Sequence, residues 1–239
     1  AYLAEDKNSR TAIEVMGGHK LVTINGEVTS MAKPNIEKII YQIVGDDFKV
    51  LVNLVAQSPE IARGVDTGGA GDQGIMKGYA TAQTKSMMPL EYELARNLCQ
   101  EIFKVYPFDG KTQVTIDGNK IISVVASFQN APTADLLALS KTIITAENYF
   151  INPAGDWNQG GFDADTGLSG RKLIVDNYGP EITIGGGSFS GKDFTKVDRS
   201  GAYMARKIGV DYVNKGAKEV FVKLAYAIGV PEPVMSVAI

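Results

Sequence analysis

One order of expected elements occurs twice in the chain and constrains the fold more than any other feature. Residues 11–25 predict two strands joined by a tight turn at Gly17-Gly18-His19, Pro34 then opens a helix, and the apolar run at 49–56 predicts a further strand. A helix is predicted over residues 89–103. About one hundred residues after the first hairpin, residues 111–128 predict a second one, and Pro132 opens a helix that is expected to reach Tyr149. Because strand, turn, strand, proline and helix recur in this order, we expect an internal duplication of a β-β-α module.

A third, partial copy ends the chain. Residues 196–216 predict a helix with Met204, Ile208 and Tyr212 at four-residue steps along one face, and residues 219–239 predict a pair of strands. A sheet face left uncovered costs about 25 cal/mol per Å² of exposed apolar area, so we expect another subunit to cover it. The expected α+β fold has three modules, the last without its final helix: residues 1–104 with a glycine-rich loop at 64–74, residues 105–180, and residues 181–239.

Composition excludes several classes of function. The 239 residues carry a net charge of −3, which gives no bulk attraction to nucleic acid or to an anionic membrane. No apolar run approaches the length that spans a bilayer. The single cysteine, Cys99, excludes an internal disulfide and fits a cytoplasmic protein. The single histidine, His19, excludes a histidine-rich metal site and a serine–histidine–aspartate triad.

The stretch ITIGGGSFSGKDFTKVDRS, residues 182–200, combines bare backbone with charges of both signs. Residues 186–192 match the phosphate-loop pattern G-x-x-x-x-G-K, but Asp193 stands where that loop needs a hydroxyl for magnesium. Glycines still let backbone N–H groups approach an anion, Lys192 supplies a positive charge, and Asp198 can hold a metal ion. We favour a polyphosphate–Mg²⁺ site over the alternative, a tight loop in which Asp193 and Asp198 are helix-capping acids.

Two other loops are rich in glycine. Residues 64–81 hold six glycines between a strand and a helix, and they form either a flexible connector or a mobile loop that closes over a ligand. Residues 151–176 hold the only tryptophan, Trp157, in a polar setting, which favours a stacking platform for a flat ring over a core position. Arg171 and Lys172 add two charges that can bind an anion.

Together these stretches resemble the S-adenosylmethionine synthetase family, also called the methionine adenosyltransferases. GAGDQGIMKGYAT (69–81) is similar to the family's first signature, and GGGSFSGKDFTKVDRS (185–200) is similar to its second. Four shorter blocks match as well: NLVAQSPEIARGVD, FINPAGDW, GLSGRKLIVDNYG and YAIGVPEP. The resemblance covers nearly the whole chain and implies three similar modules about a pseudo-threefold axis, in agreement with the repeat.

The resemblance implies a reaction in which ATP and L-methionine give S-adenosylmethionine and the tripolyphosphate is then hydrolysed. It implies Mg²⁺ and K⁺ as cofactors, and a homodimer or dimer of dimers with shared active sites, without nucleic acid or membrane partners. A thioether carries no proton, so its attack on the ribose C5′ needs no general base. It needs alignment of the reactants and stabilisation of the polyanionic leaving group.

Matching motifs also imply roles for individual residues. The residues implied for ATP and its phosphates are Asp109, Lys111, Trp157, Arg171, Lys172, Ser188 and Lys192, with Trp157 on the adenine. Of these, the expected catalytic residues are Lys111, Arg171, Lys172 and Lys192. The residues implied for methionine are Glu27, Gln57, Asp72 and Lys196, with Asp165 between the substrates. The resemblance assigns Mg²⁺ to Asp198 and K⁺ to Glu14.

Three departures from the family pattern leave a second interpretation open. The chain has no Gly-His-Pro-Asp-Lys motif, which in the family supplies a phosphate-binding histidine and a second magnesium carboxylate. The loop before Gly69 is shorter than the family's lid, and the portion after the last strand pair is absent. The alternative is an impaired homologue that binds ATP or S-adenosylmethionine, or that acts as a partner subunit of a full-length synthetase. A separate polyphosphatase is a further option.

Overall fold

The computed structural model describes residues 1–58, 68–118 and 120–239. These residues form two compact units: Ala1–Ala82 with Thr166–Ile239, and Gln83–Asp165. Both units combine sheets with helices, which confirms the α+β class, whereas the expected module boundaries stay a prediction. Within the described ranges, no helix combines the length and the apolar character needed to cross a bilayer.

The first unit contains two sheets. One has the strand order β3-β2-β1-β8 and the other has the order β10-β9-β4; all pairs are antiparallel except β2 with β3. With labels numbered through the whole chain, its elements are α1 (Tyr2–Glu5), β1 (Arg10–Gly18), β2 (Leu21–Thr29), α2 (Ile36–Val44), β3 (Lys49–Val55), β4 (Gly74–Thr81), β8 (Gly167–Leu168), α5 (Leu173–Asp176), α6 (Val197–Asn214), β9 (Glu219–Tyr226) and β10 (Met235–Ala238).

Strands β1 and β2 form the first expected hairpin, but its turn differs from the prediction. Gly18 lies opposite Leu21, so the turn consists of His19 and Lys20 and not of residues 17–19. His19 and Lys20 have φ angles of 49° and 66°, the left-handed conformation of a two-residue hairpin turn. Gly18 instead allows close packing, since a Cβ at this position would lie 2.6 Å from the Thr166 hydroxyl oxygen.

Helix α2 and strand β3 follow the hairpin where the sequence predicted them. Asn35 caps α2, since its side-chain oxygen accepts a hydrogen bond from the Lys38 backbone N–H at 2.9 Å. No residue of α2 is buried, and Ile43, Val52 and Val55 are 74%, 45% and 55% exposed. The described chain therefore leaves these apolar residues of the α2–β3 segment uncovered.

The second sheet packs against α6 through small residues. Ala205 and Gly209 are among the buried residues of this helix, whereas Met204 and Tyr212 are half exposed. The helix that the spacing of Met204, Ile208 and Tyr212 predicted is therefore present, but small residues form most of its buried face. A Cβ on Gly78 of β4 would lie 2.2 Å from the carbonyl carbon of Ala205, so glycine is needed where the helix crosses the strand.

Strand β4 occupies part of the segment that was expected to be a glycine-rich connection. Residues 74–81 pair with β9 along their whole length, so the expectation of a loop up to residue 81 is wrong. Residues 68–73 contain no helix or strand, as expected, and residues 64–67 of the expected loop lie outside the described residues. The glycines made this segment resemble a loop. Gly78, however, is needed because α6 packs closely on it and not because the chain turns there.

The second unit is one three-stranded sheet with two helices. The sheet has the order β5-β6-β7, with β6–β7 parallel, and its core includes Leu98, Ile102, Val124, Phe128 and Leu136. The elements are α3 (Leu90–Val105), β5 (Gly110–Asp117), β6 (Lys120–Phe128), α4 (Thr133–Ile143), β7 (Asn148–Ile151) and a 3₁₀ turn at Gly161–Asp163. The second expected hairpin and its helix are therefore confirmed.

Helix α4 is shorter than expected. The sequence predicted a helix up to Tyr149, but Ile144 has an extended backbone and β7 begins at Asn148. The Tyr149 hydroxyl donates to the Ile144 carbonyl at 2.7 Å and accepts from the Ala146 N–H at 2.9 Å. This side chain therefore satisfies backbone groups that a longer helix would have paired, which explains the earlier end.

Candidate functional site

The glycine–lysine stretch, residues 185–200, is anchored along the edge of β1. The Ile13 N–H donates to the Gly191 carbonyl at 3.1 Å, and the Asp193 N–H donates to the Thr11 carbonyl at 3.2 Å. Gly191 has a φ of +75°, and a Cβ there would lie 1.8 Å from the Ile13 carbonyl oxygen. Glycine is therefore required at this position by both conformation and space.

Asp193 secures this anchor. Its side chain accepts from the backbone N–H groups of Thr11 and Thr195, each at 2.7 Å, and from Lys196 Nζ at 2.9 Å. Burial raises the pKa of Asp193, but the hydrogen bonds from Lys196, Thr195 and Thr11 outweigh burial and hold the pKa below its usual value. Asp193 thus fastens the loop to the sheet and does not take the magnesium role of a phosphate-loop hydroxyl.

Lys192 and Asp198 form an ion pair within the same stretch. Lys192 Nζ lies 2.8 Å from Asp198 Oδ2, and the two side chains are 18% and 20% exposed. A Cβ on Gly187 would lie 2.0 Å from Asp198 Oδ1, so bare backbone passes directly beside this carboxylate. The structure therefore brings together the lysine, the carboxylate and the glycine that the sequence singled out.

The donor set fits magnesium in one particular way. Among the described residues, no group of three or more acidic, histidine or cysteine side chains is arranged to hold a metal ion. Mg²⁺ is commonly held by one or two carboxylates together with substrate phosphates and water. Asp198 beside Lys192 matches that arrangement, because the lysine and the metal ion would act on the same phosphate chain.

The loop that carries Arg171 and Lys172 adjoins the glycine–lysine stretch. Gly170 has a φ of +69°, and a Cβ there would lie 2.5 Å from the Ser188 Cβ. Arg171 donates to the Thr166 carbonyl at 2.8 Å, and both Arg171 and Lys172 are exposed. Two more positive side chains and the Ser188 hydroxyl therefore belong to the same region of the first unit.

The four-stranded sheet carries the two expected glutamates on one face. Glu14 pairs with Asn25 and Glu27 pairs with Ala12, so alternation along β1 and β2 directs both glutamates to the same side. Glu14 accepts a hydrogen bond from Ser169 at 2.9 Å. The other residues expected to bind the substrate methionine lie outside this sheet. The Gln57 N–H donates to the Thr29 hydroxyl, the Asp72 side chain accepts from the Gln73 N–H, and the Lys196 ammonium donates to Asp193.

The second unit holds three of the residues expected to contact ATP. Lys111 lies opposite Ser127 across β5 and β6, and the Trp157 Nε1 donates to the Ser127 hydroxyl at 3.0 Å. Asp109 accepts from the Gly161 N–H at 2.7 Å, which ties the segment after Trp157 to the start of β5. Asp109, Lys111 and Trp157 are therefore neighbours, and Asp165 is exposed at the end of this unit.

Sequence reasoning missed several residues that support the site. Asp193 was considered only as a mismatch to the phosphate-loop pattern and as a helix-capping acid, and neither Gln129 nor Asp156 was assigned a role. Arg199 was also missed: its guanidinium lies 4.3 Å from the ring centre of Phe194, and it donates to the Lys192 carbonyl. Only the polar mismatch at position 193 could have been followed further from sequence.

This geometry defines an α+β protein whose glycine-lined lysine–aspartate pair suits a polyphosphate. The family model "S-adenosylmethionine synthetase, central domain" matches residues 67–157, and "S-adenosylmethionine synthetase, C-terminal domain" matches residues 159–239. The S-adenosylmethionine synthase of Mycoplasmopsis pulmonis is 41% identical, over 98% of this chain and 72% of that protein. The corresponding protein of Brachyspira hyodysenteriae is 39% identical, over 97% of this chain and 72% of its own length.

A solved structure agrees with these sequence matches. An S-adenosylmethionine synthetase from Campylobacter jejuni, described as unusual, superposes with a TM-score of 0.85 at 34% identity. The superposition covers 100% of this chain and 74% of the other. The chain belongs to the S-adenosylmethionine synthetase family, as its signatures predicted. The alignment with the Mycoplasmopsis pulmonis protein runs over 274 positions, more than this chain's 239 residues, so that relative has internal segments that this chain lacks.

Proposed function

We propose that this protein forms S-adenosylmethionine from ATP and methionine and then hydrolyses the tripolyphosphate product. The observation that carries the proposal is the Lys192–Asp198 ion pair at 2.8 Å beside Gly187. A lysine, a carboxylate and bare backbone at one place suit a phosphate chain with a divalent ion. Family membership supports the synthetase chemistry.

The proposed reaction makes few demands on proton transfer. The methionine sulfur forms a bond to the ribose C5′ while the bond from C5′ to the triphosphate oxygen breaks, and the electron pair leaves with that oxygen. Lys192, Arg171 and Lys172 would stabilise the negative charge that builds up on the leaving oxygens. The resemblance to the family assigns Lys111 to ATP as well. Trp157 and Asp109 would orient the nucleoside. Magnesium, held by Asp198, would supply charge neutralisation when bound.

Other assignments are part of the same proposal. Methionine would be bound by Glu27, Gln57, Asp72 and Lys196, with Asp165 between the substrates. Potassium would bind at Glu14, whose carboxylate is exposed and already accepts a hydrogen bond from Ser169. We further propose a cytoplasmic homodimer or dimer of dimers.

Substitution of Lys192 tests the proposal. Lys192→Ala should weaken MgATP binding or turnover by about 2–4 kcal/mol, because one donor to the polyphosphate is lost. The matched control is Lys207→Ala on the same helix as Asp198, which also breaks a lysine–aspartate pair but an exposed one. Calorimetry measures binding, and mass spectrometry detects S-adenosylmethionine formed with ATP, methionine, Mg²⁺ and K⁺.

The outcomes separate the proposed function from its alternatives. A change below a few tenths of a kcal/mol for Lys192→Ala would show that the glycine–lysine stretch is only structural. Nucleotide binding without any product would favour the impaired homologue or partner subunit. Phosphate release from tripolyphosphate without S-adenosylmethionine would favour a polyphosphatase.

A further inference from the structure

The segment that carries Trp157 is held by hydrogen bonds to both its backbone and its ring. The Asn130 N–H donates to the Trp157 carbonyl at 2.9 Å, and the indole Nε1 donates to Ser127 Oγ at 3.0 Å. Both partners belong to the end of β6 and the loop that follows it. A ring that is already fixed loses little conformational entropy when a ligand stacks on it.

Gln129 ties this segment to the start of β5. Its Nε2 donates to the Asn158 carbonyl at 3.0 Å, and its Oε1 accepts from the Asp109 N–H at 3.4 Å. Gly160 lies against the same side chain, because a Cβ there would be 2.3 Å from Gln129 Oε1. Since Asp109 also accepts from the Gly161 N–H at 2.7 Å, the residues that follow Trp157 in the chain are held to the start of β5.

Asp156, the residue before Trp157, bonds to the first residue of helix α4. Its Oδ1 accepts from the Thr133 N–H at 3.1 Å and from Asn152 Nδ2 at 3.2 Å, and the Thr133 hydroxyl donates to the same oxygen. The hydrogen bond from the Thr133 side chain is the main cause that holds the pKa of Asp156 below its usual value. Asn152 is buried and also donates to the Ala131 carbonyl at 2.8 Å, so the base of the segment is fixed.

We propose that Asp156 and Gln129 are positioning residues for Trp157, and that they fix its ring before a nucleotide binds. The inference rests on the proposed function, in which Trp157 stacks on the adenine. Asp156 acts through helix α4 and Gln129 acts through Asn158, so neither needs to touch the ligand. Loss of either anchor should let the ring move and should weaken adenine nucleotide binding about 5- to 10-fold, the scale of one lost hydrogen bond.

Indole fluorescence reports the mobility of the Trp157 ring directly, because Trp157 is the only tryptophan of the chain. We would measure indole anisotropy in the free protein and then titrate it with adenylyl imidodiphosphate and Mg²⁺. The variants are Asp156→Ala and Gln129→Ala, together with Asp156→Asn, which keeps an acceptor oxygen. The matched control is Asp135→Ala, which removes an acidic residue from the first turn of α4, the helix whose first residue bonds to Asp156.

We expect lower anisotropy and 5- to 10-fold weaker nucleotide binding, about the effect of one hydrogen bond, for Asp156→Ala and Gln129→Ala. Asp156→Asn and Asp135→Ala should stay within about twofold of wild type, well under one hydrogen bond. Circular dichroism verifies folding. If Asp156→Ala unfolds because the start of α4 loses its partner, Gln129→Ala still tests the proposal, since Gln129 bonds to Asn158 and Asp109. Wild-type anisotropy and affinity in both alanine variants would overturn the positioning role. If the fluorescence of the wild-type protein does not change when the nucleotide is added, the proposed nucleotide site is overturned. The anisotropy of the free variants would still test whether Asp156 and Gln129 fix the ring.

Discussion

At the scale of single residues, Asp193 couples the candidate site to pH. An unfolded aspartate has a pKa of about 3.9, and the hydrogen bonds in the folded protein hold the pKa of Asp193 below its usual value. The stabilisation is therefore complete above the unfolded pKa and is lost as the pH falls through the lower folded pKa. We expect the free energy of unfolding of the wild-type protein to fall below about pH 4.

Asp193→Asn separates this effect from general acid unfolding. The amide keeps one acceptor but loses the charge-assisted bonds, so we expect a loss of about 2 kcal/mol at neutral pH and a flatter pH dependence below pH 4. Denaturant titrations at several pH values measure both. Asp47→Asn is the control, because the Lys20–Asp47 pair is exposed and its loss should leave stability close to wild type. Equal pH profiles for Asp193→Asn and wild type would contradict the role of Asp193.

The candidate residues that the sequence identified are those whose chemistry is unusual for their surroundings. Lys192, Asp198 and Trp157 stood out because charge or an indole occurred among glycines. Asp193 and Gln129 could not be assigned in this way, since their roles depend on bonds to Thr11 and Asp109, more than a hundred and about twenty positions away. No local pattern records such long-range pairs, so the sequence located the site but not its supports.

At the scale of elements, α6 shows where local pattern and packing disagree. Helical spacing of Met204 and Tyr212 predicted an apolar face, but the face that packs on β4 consists of small residues. We expect Ala205→Leu to destabilise the protein by about 1–3 kcal/mol, because Ala205 is fully buried and no space exists for a larger side chain. Met204→Ala, on the half-exposed side, should cost less than about 1 kcal/mol. Thermal unfolding of both variants decides which face is packed, and a larger loss for Met204→Ala than for Ala205→Leu would contradict the packing of the small-residue face.

The same comparison explains which elements could be predicted. Both hairpins and helices α2, α3 and α4 have clear alternation, helical spacing or a preceding proline, and all are present. Strand β4 was missed because Gly74 and Gly78 resemble a loop, and the end of α4 was missed because the Tyr149 hydroxyl satisfies the backbone there. Glycines that serve close packing and side chains that replace backbone partners are tertiary effects, which a local pattern does not contain.

At the scale of the whole molecule, the α2–β3 segment exposes several large apolar side chains. Ile43, Leu51, Val52 and Val55 are each more than two-fifths exposed within a short stretch of the first unit. Leu51 and Val55 point to the same face of β3, and exposed apolar residues grouped in this way commonly mark a protein–protein interface. The resemblance to the family led us to expect a homo-oligomer, and this surface is where we place its contact.

Light scattering after size exclusion tests this assignment. The wild-type protein should have about two or four times the 25.6 kDa mass of one chain, as a homodimer or a dimer of dimers. Ile43→Glu should raise the dimer dissociation constant at least about tenfold, because it would bury an unpaired charge at the contact. Val105→Glu is the matched control: Val105 is 56% exposed in the last turn of α3, as Ile43 is in the last turn of α2, so both variants add a negative charge near a helix C-terminus. If both variants associate equally, the contact lies elsewhere, and a wild-type mass near that of one chain would contradict a homo-oligomer altogether.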